Sequence, residues 1–212
     1  MWCFFNENKI NFIGIFQDGC FSNERYYTVW HHSLRERCIN RLDNLKKAAS
    51  EYPEADLVIG QNWLNTKNLK SKQDDNITLE PEESEEQINN YLKSLSEIVG
   101  DDSKGYILGS TQGSSYNVFQ CQAKSSLPLL AKLNENDCEK WQKSSDIKIN
   151  NVIKQLSSQY NNLVYIDPNE TLCAKDKCRI ITDENKPVYS DNRHFSKDGA
   201  DVVGKFILDK MK

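Results

Sequence analysis

Short apolar runs that stop at Gly or Pro alternate with helix-length stretches along this chain. Ile10–Phe16, followed by a turn at Asp18-Gly19, reads as a strand. So do Ala55–Gly60, Gly105–Gly109 and Leu163–Asp167, the last halted by Pro168. Between and after them, Glu24–Ser50, Pro81–Val99, Asp137–Tyr160 and Ser196–Lys212 carry helical periodicity. In the first of these, Trp30, Leu34, Cys38, Leu42 and Leu45 fall on one face. Pro81 opens its helix with a run of acids in the first turn, where the helix dipole favours negative charge. Residues 65–80 and 117–136 read as loop. Strands alternating with long helices predict an α/β fold, a mostly parallel, doubly wound sheet in three α/β/α layers. In that class the ligand site lies outside the carboxyl ends of the strands. With no repeats and no long linker, residues 1–212 read as a single domain.

Charge and composition narrow the function. The balance is 27 − 31 = −4, with 27% charged and 38% hydrophobic residues. An acidic chain without a basic block excludes a typical nucleic-acid binder. No apolar run approaches a membrane span, and ten per cent aromatic residues argue against disorder.

Seven cysteines stand at 3, 20, 38, 121, 138, 173 and 178. None forms Cys-x-x-Cys or stands near a His at zinc spacing, so no metal site is expected. Six group as local pairs, Cys20 with Cys38, Cys121 with Cys138 and Cys173 with Cys178, leaving Cys3 over. Such pairs suggest disulfides and an extracytoplasmic setting, with free thiols as the alternative. The start, Met1-Trp2-Cys3-Phe4-Phe5, lacks the basic and apolar regions of a signal peptide. Disulfides without an export signal fit a chain that begins inside a longer protein.

Three histidines are available. His31 and His32 fall in the first helical stretch and read as helix surface. His194 follows Asp191 by three residues, just before the final helix, and Ser196 stands where it can cap that helix. At this spacing the carboxylate can meet imidazole Nδ1 and fix the tautomer, leaving Nε2 to take a proton from a nucleophile.

The tail Tyr165-Ile166-Asp167-Pro168, Leu172-Cys173, Cys178, Tyr189, Asp191-x-x-His194-Phe195-Ser196, Gly199-Ala200 resembles the end of the SGNH domain fused to acyltransferase-3 membrane proteins. Phe195 stands where that family usually has Leu. Upstream, Gly60-Gln61-Asn62-Trp63 resembles the family's Gly-x-Asn block, and Gly19 its second-block glycine. The resemblance implies a flavodoxin-like SGNH hydrolase fold, with Asp191 and His194 catalytic, and Gly19, Gly60 and Asn62 serving an oxyanion hole. Trp63 would line the substrate site, and Cys20 and Cys38 would match the family's first cysteine pair. No Gly-Asp-Ser nucleophile occurs in the sequence. Ser22, Gly109-Ser110-Thr111-Gln112-Gly113, Ser114 and Ser115 make poor substitutes. The expectation is therefore an SGNH domain truncated before its first strand and its serine.

The implied activity is transfer of an acyl group, most simply acetyl, to hydroxyls of a cell-surface polysaccharide through an acyl-serine. The implied setting is extracytoplasmic, tethered by a membrane acyltransferase domain, with an acyl donor but no metal or organic cofactor. A carbohydrate O-acetyl esterase, or a glycan-binding remnant without catalysis, are the alternatives.

Overall fold

A computed structural model of the chain describes residues 11, 13–15, 20–29, 34–66, 69–125 and 138–212. In chain order the elements are β1 (Cys20–Ser22), β2 (Tyr26–Val29), α1 (Arg35–Ile39), α2 (Arg41–Glu51), β3 (Leu57–Ile59), a 3-10 turn (Trp63–Thr66), β4 (Lys70–Ser71), α3 (Pro81–Val99) and β5 (Gly105–Leu108). There follow α4 (Val118–Ser125), β6 (Trp141–Lys143), α5 (Lys148–Ser157), β7 (Leu163–Ile166), α6 (Asn169–Leu172), β8 (Cys173–Ala174), β9 (Lys177–Arg179) and α7 (Lys197–Met211). The described residues gather into two units, one from Ile13–Ser110 with Lys148–Ile166, the other from Thr111–Ile147 with Asp167–Lys212.

The first unit is built on a parallel sheet in the order β3-β5-β7. Its middle strand, Gly-Tyr-Ile-Leu, is buried throughout, as a strand covered on both faces must be. Ile59, Ile107 and Leu163 of the sheet pack with Ile88, Tyr91, Leu92 and Leu95 of α3, Leu42 of α2 and Ile153 of α5. Each such side chain contributes about 1.5–3 kcal/mol by leaving water. Helix α3 starts in a capping box between Glu80 and Glu83, with Pro81 inside the first turn. Its C-terminal carbonyls are not left orphaned, because buried Asn162 donates to Ser96 O (2.8 Å) and Gly100 O (2.6 Å).

Against expectation, the helix from Glu24 begins later. Residues 20–29 form a β-hairpin, β1 with β2, and β2 also pairs with β4. Asn23 makes the turn, its Oδ1 accepting from the N–H groups of Arg25 and Tyr26 at 2.9 and 2.7 Å. Tyr-Tyr-Thr-Val then supplies the aromatic and β-branched residues that a strand favours. Cys38, Leu42 and Leu45 keep the expected inward face, whereas Trp30 lies outside the described residues. Residues 65–80 also carry more structure than a loop, with β4 and buried Leu69 within them. Of the expected strand Ile10–Phe16, Asn11 and Ile13–Ile15 are described, and they are not in a strand. Ile13 is 56% exposed and no described strand pairs with these residues, so the described part of the run lacks the ladder that would make it a strand.

The second unit holds an antiparallel sheet, β6-β9-β8. Here the helix expected over Asp137–Tyr160 gives way to β6, and only Lys148–Ser157 is helical. Trp141 pairs with Arg179, whose guanidinium lies 4.8 Å over the indole. The supposed loop 117–136 opens with α4, while 126–137 lie outside the described residues. Helix α7 runs as expected, with Val203, Ile207 and Leu208 buried.

Candidate catalytic site

Asp191 and His194 belong to a tight turn in the second unit. Tyr189 and Phe195 bridge across its base, and their rings stack with centroids 5.2 Å apart. Phe195, the departure from the family pattern, thus supplies one face of that stack. The Ser190 N–H donates to His194 O at 2.8 Å. Ser196 accepts from the Gly199 N–H at 3.0 Å and caps α7, while its hydroxyl donates to Pro187 O. Gly199 is required where it stands, since a Cβ there would come within 2.0 Å of Val188 O.

The Asp191 carboxylate collects three donors. Its Oδ1 accepts from the backbone N–H groups of Arg193 (2.7 Å) and His194 (2.8 Å). Its Oδ2 meets His194 Nδ1 at 2.7 Å. These bonds favour the charged form, so the carboxyl sits well below the usual range, the His194 backbone bond being the largest cause. The folded value is depressed, so the turn gains from Asp191 above the ordinary carboxyl pKa, about 4, and loses that gain as pH falls toward the lower folded value. With Nδ1 held by Asp191, Nε2 is the nitrogen left to accept a proton. The His194 side chain is 82% exposed, so the turn presents the ring to solvent rather than packing it away.

Beneath the turn, Tyr189 is buried, and burial pushes its phenol up to about 12, opposed by hydrogen bonds from Gly113 and Thr111.

The remaining oxyanion and substrate-lining candidates sit in the first unit or beyond the described residues. Gly19 lies outside them. Gly60 ends β3, where a Cβ would meet only Leu108 Cδ1, at an ordinary 3.5 Å. Packing therefore does not demand glycine there. Asn62 is exposed. Trp63 corrects an expectation: it is 0% exposed and its Nε1–H donates to Leu108 O at 2.8 Å. Its indole is core, not a surface against which a sugar stacks. The Ser22 and Ser114 hydroxyls are committed to backbone carbonyls, those of Ile39 (3.2 Å) and Tyr116 (2.6 Å).

Gln61, which the sequence reading passed over, has both amide atoms buried without a hydrogen-bond partner among the described residues. An unsatisfied buried amide is costly. Gln61→Met keeps the length and removes the polar atoms. It should raise stability by about 1 kcal/mol, measured as the urea midpoint at constant slope. A lower midpoint would mean that the amide finds partners in solution.

A family model described as "SGNH domain (fused to AT3 domains)" matches residues 4–209. The chain belongs to this SGNH family. Its sheet and helices are accordingly those of the α/β SGNH hydrolase fold. No curated protein matches the SGNH chain. Among solved structures, the periplasmic domain of a lipopolysaccharide acetyltransferase of Salmonella ser. Paratyphi A superposes with a TM-score of 0.54 at 16% identity. The match covers 81% of this chain and 60% of that one, and at such identity it speaks to fold. The SGNH chain also carries the three expected disulfides, Cys20–Cys38, Cys121–Cys138 and Cys173–Cys178, with Cys3 outside the described residues. Among those residues no cluster of His, Cys, Asp or Glu could hold a metal ion, and no helix is long and apolar enough to cross a membrane.

Proposed function

We propose that this SGNH domain takes part in acyl transfer to hydroxyls of a cell-surface polysaccharide, acetyl being the simplest acyl group. The observation that carries the reading is the His194 Nδ1 to Asp191 contact of 2.7 Å within an SGNH family domain. In the first step, a serine oxygen bonds to the acyl carbon while its proton passes to His194 Nε2, and the donor's leaving group departs with that proton. In the second, His194 takes the proton of a sugar hydroxyl as its oxygen bonds to the acyl carbon, and the serine leaves with the proton returned. Asp191 orients the ring and stabilises the imidazolium in both steps. Gly19, Gly60 and Asn62 are proposed as donors to the oxyanion. The serine is not one that this sequence offers in a Gly-Asp-Ser setting.

Three disulfides favour an extracytoplasmic location. The family's description as fused to AT3 domains supports a membrane acyltransferase domain as partner. The exposed His194 ring favours a second reading, a carbohydrate O-acetyl esterase, because water reaches the same base.

In cells that make the protein, His194→Ala should lower surface-polysaccharide O-acetylation at least about 100-fold. Ester content is read as acetate released from the purified polymer by mild alkali. Unchanged ester content would overturn both readings, and a rise would identify the esterase.

A further inference from the structure

The turn that holds Asp191 and His194 leans on a distant piece of chain, Thr111–Tyr116. Gly113 has φ of +74°, and a Cβ on it would lie 2.4 Å from Asn192 O, inside the Asp-x-x-His motif itself. Both facts demand glycine: the left-handed backbone, and the close approach to the turn. The next residue, Ser114, donates its N–H to the same Asn192 O at 2.8 Å. Gly113 and Thr111 hydrogen-bond to the hydroxyl of Tyr189, whose ring closes the base of the turn against Phe195.

The strap is itself held from behind. The Gln142 amide donates to Gly113 O at 2.7 Å and accepts from the Ser115 N–H at 2.7 Å. Gln112 donates to Lys143 O at 2.7 Å and accepts from the Ser145 N–H at 2.9 Å. The Gln112 N–H donates to Asn169 Oδ1 at 3.0 Å. Two glutamines thus fix the strap to β6 and its flank by pairs of opposed hydrogen bonds. That is more restraint than a surface loop ordinarily carries.

An imidazole as exposed as His194 has no packing of its own to hold it. A pair in solvent contributes little to stability, so its geometry depends on the backbone that presents it. We propose that Gly113, Ser114 and Tyr189 are positioning residues for the Asp191–His194 pair, setting the turn so that Nδ1 meets the carboxylate and Nε2 faces outward. This rests on the catalytic reading of that pair.

The test is long-range 1H–15N NMR of the His194 ring in uniformly labelled chain 1–212, at a pH where the ring is neutral, with the signal assigned by its loss in His194→Gln. The wild type should show the single Nδ1–H tautomer. Gly113→Ala should show a mixture of tautomers and at least about tenfold less exchange protection at the Ser114 amide, while the amides of the parallel sheet stay protected. Tyr189→Phe keeps the stacked ring and should show a milder mixture. A wild-type tautomer in both variants would overturn the positioning role. If Gly113→Ala does not fold, Tyr189→Phe decides alone, a mixture upholding the role and a wild-type pattern ending it. Asp191→Asn separates the two readings. If the Nδ1–H tautomer survives that change, the Asp191–His194 pairing fails, whatever the strap does.

Discussion

Trp63→Ala should cost about 3–5 kcal/mol, a large part of the stability of an ordinary domain. The indole is fully buried and packs edge-on to Tyr91, with ring centroids 6.3 Å apart, in the cluster that also holds Phe21, Ile88 and Ile107. Removing it leaves a void and also strands Leu108 O, the acceptor of the Nε1–H, at the end of the central strand. Trp63→Phe should recover much of the packing but not the hydrogen bond, and so fall between. Urea denaturation followed by far-UV circular dichroism measures both. An alanine variant within about 1 kcal/mol of wild type would move the indole back to the surface and revive it as a ligand contact.

The second large effect concerns the disulfide Cys20–Cys38. It closes 18 residues of sequence and joins the hairpin to α1, with both cysteines buried. A loop of that length corresponds to about 3 kcal/mol of restraint on the unfolded chain. Cys20→Ala with Cys38→Ala should therefore lose about 3 kcal/mol, more than the pair Cys173→Ala and Cys178→Ala, whose loop spans only 5 residues. Equal losses from the two pairs would mean that native packing, not chain restraint, decides their worth.

Local and periodic features were the legible ones. The start of helix α3 was visible because Pro81 and its acids mark it. The strands at Gly105 and Leu163 were visible as apolar runs too short for helices. Cys pairing and the Asp191–His194 contact were legible from spacing, since three residues in a turn suffice to bring the groups together. What depended on distant chain was not. Strand β6 exists because β9 pairs with it from about forty residues away, which overrides a stretch that reads as helical. The hairpin at Cys20–Val29 was hidden by the helical pattern after it, though Asn23 before Tyr-Tyr-Thr-Val was a usable turn signal. Trp63 was misread because its neighbours resemble a motif, while its burial is set by α3. Gly113 carried no signal at all, since only contact with Asn192 gives that glycine its meaning.

The openness of His194 bears on when the site becomes strong. In water, whose dielectric constant is about 80, opposite charges attract each other only weakly. With the ring 82% exposed, the imidazolium and Asp191 start as a pair well screened by solvent. An acceptor that settled over the ring would displace water, and the attraction would grow as the local dielectric constant fell. On the proposed catalytic reading, the occupant would thereby complete the electrostatics of the base that acts on it. A large polymer that covers the ring would be served by a stronger pair than a small ester that leaves it wet.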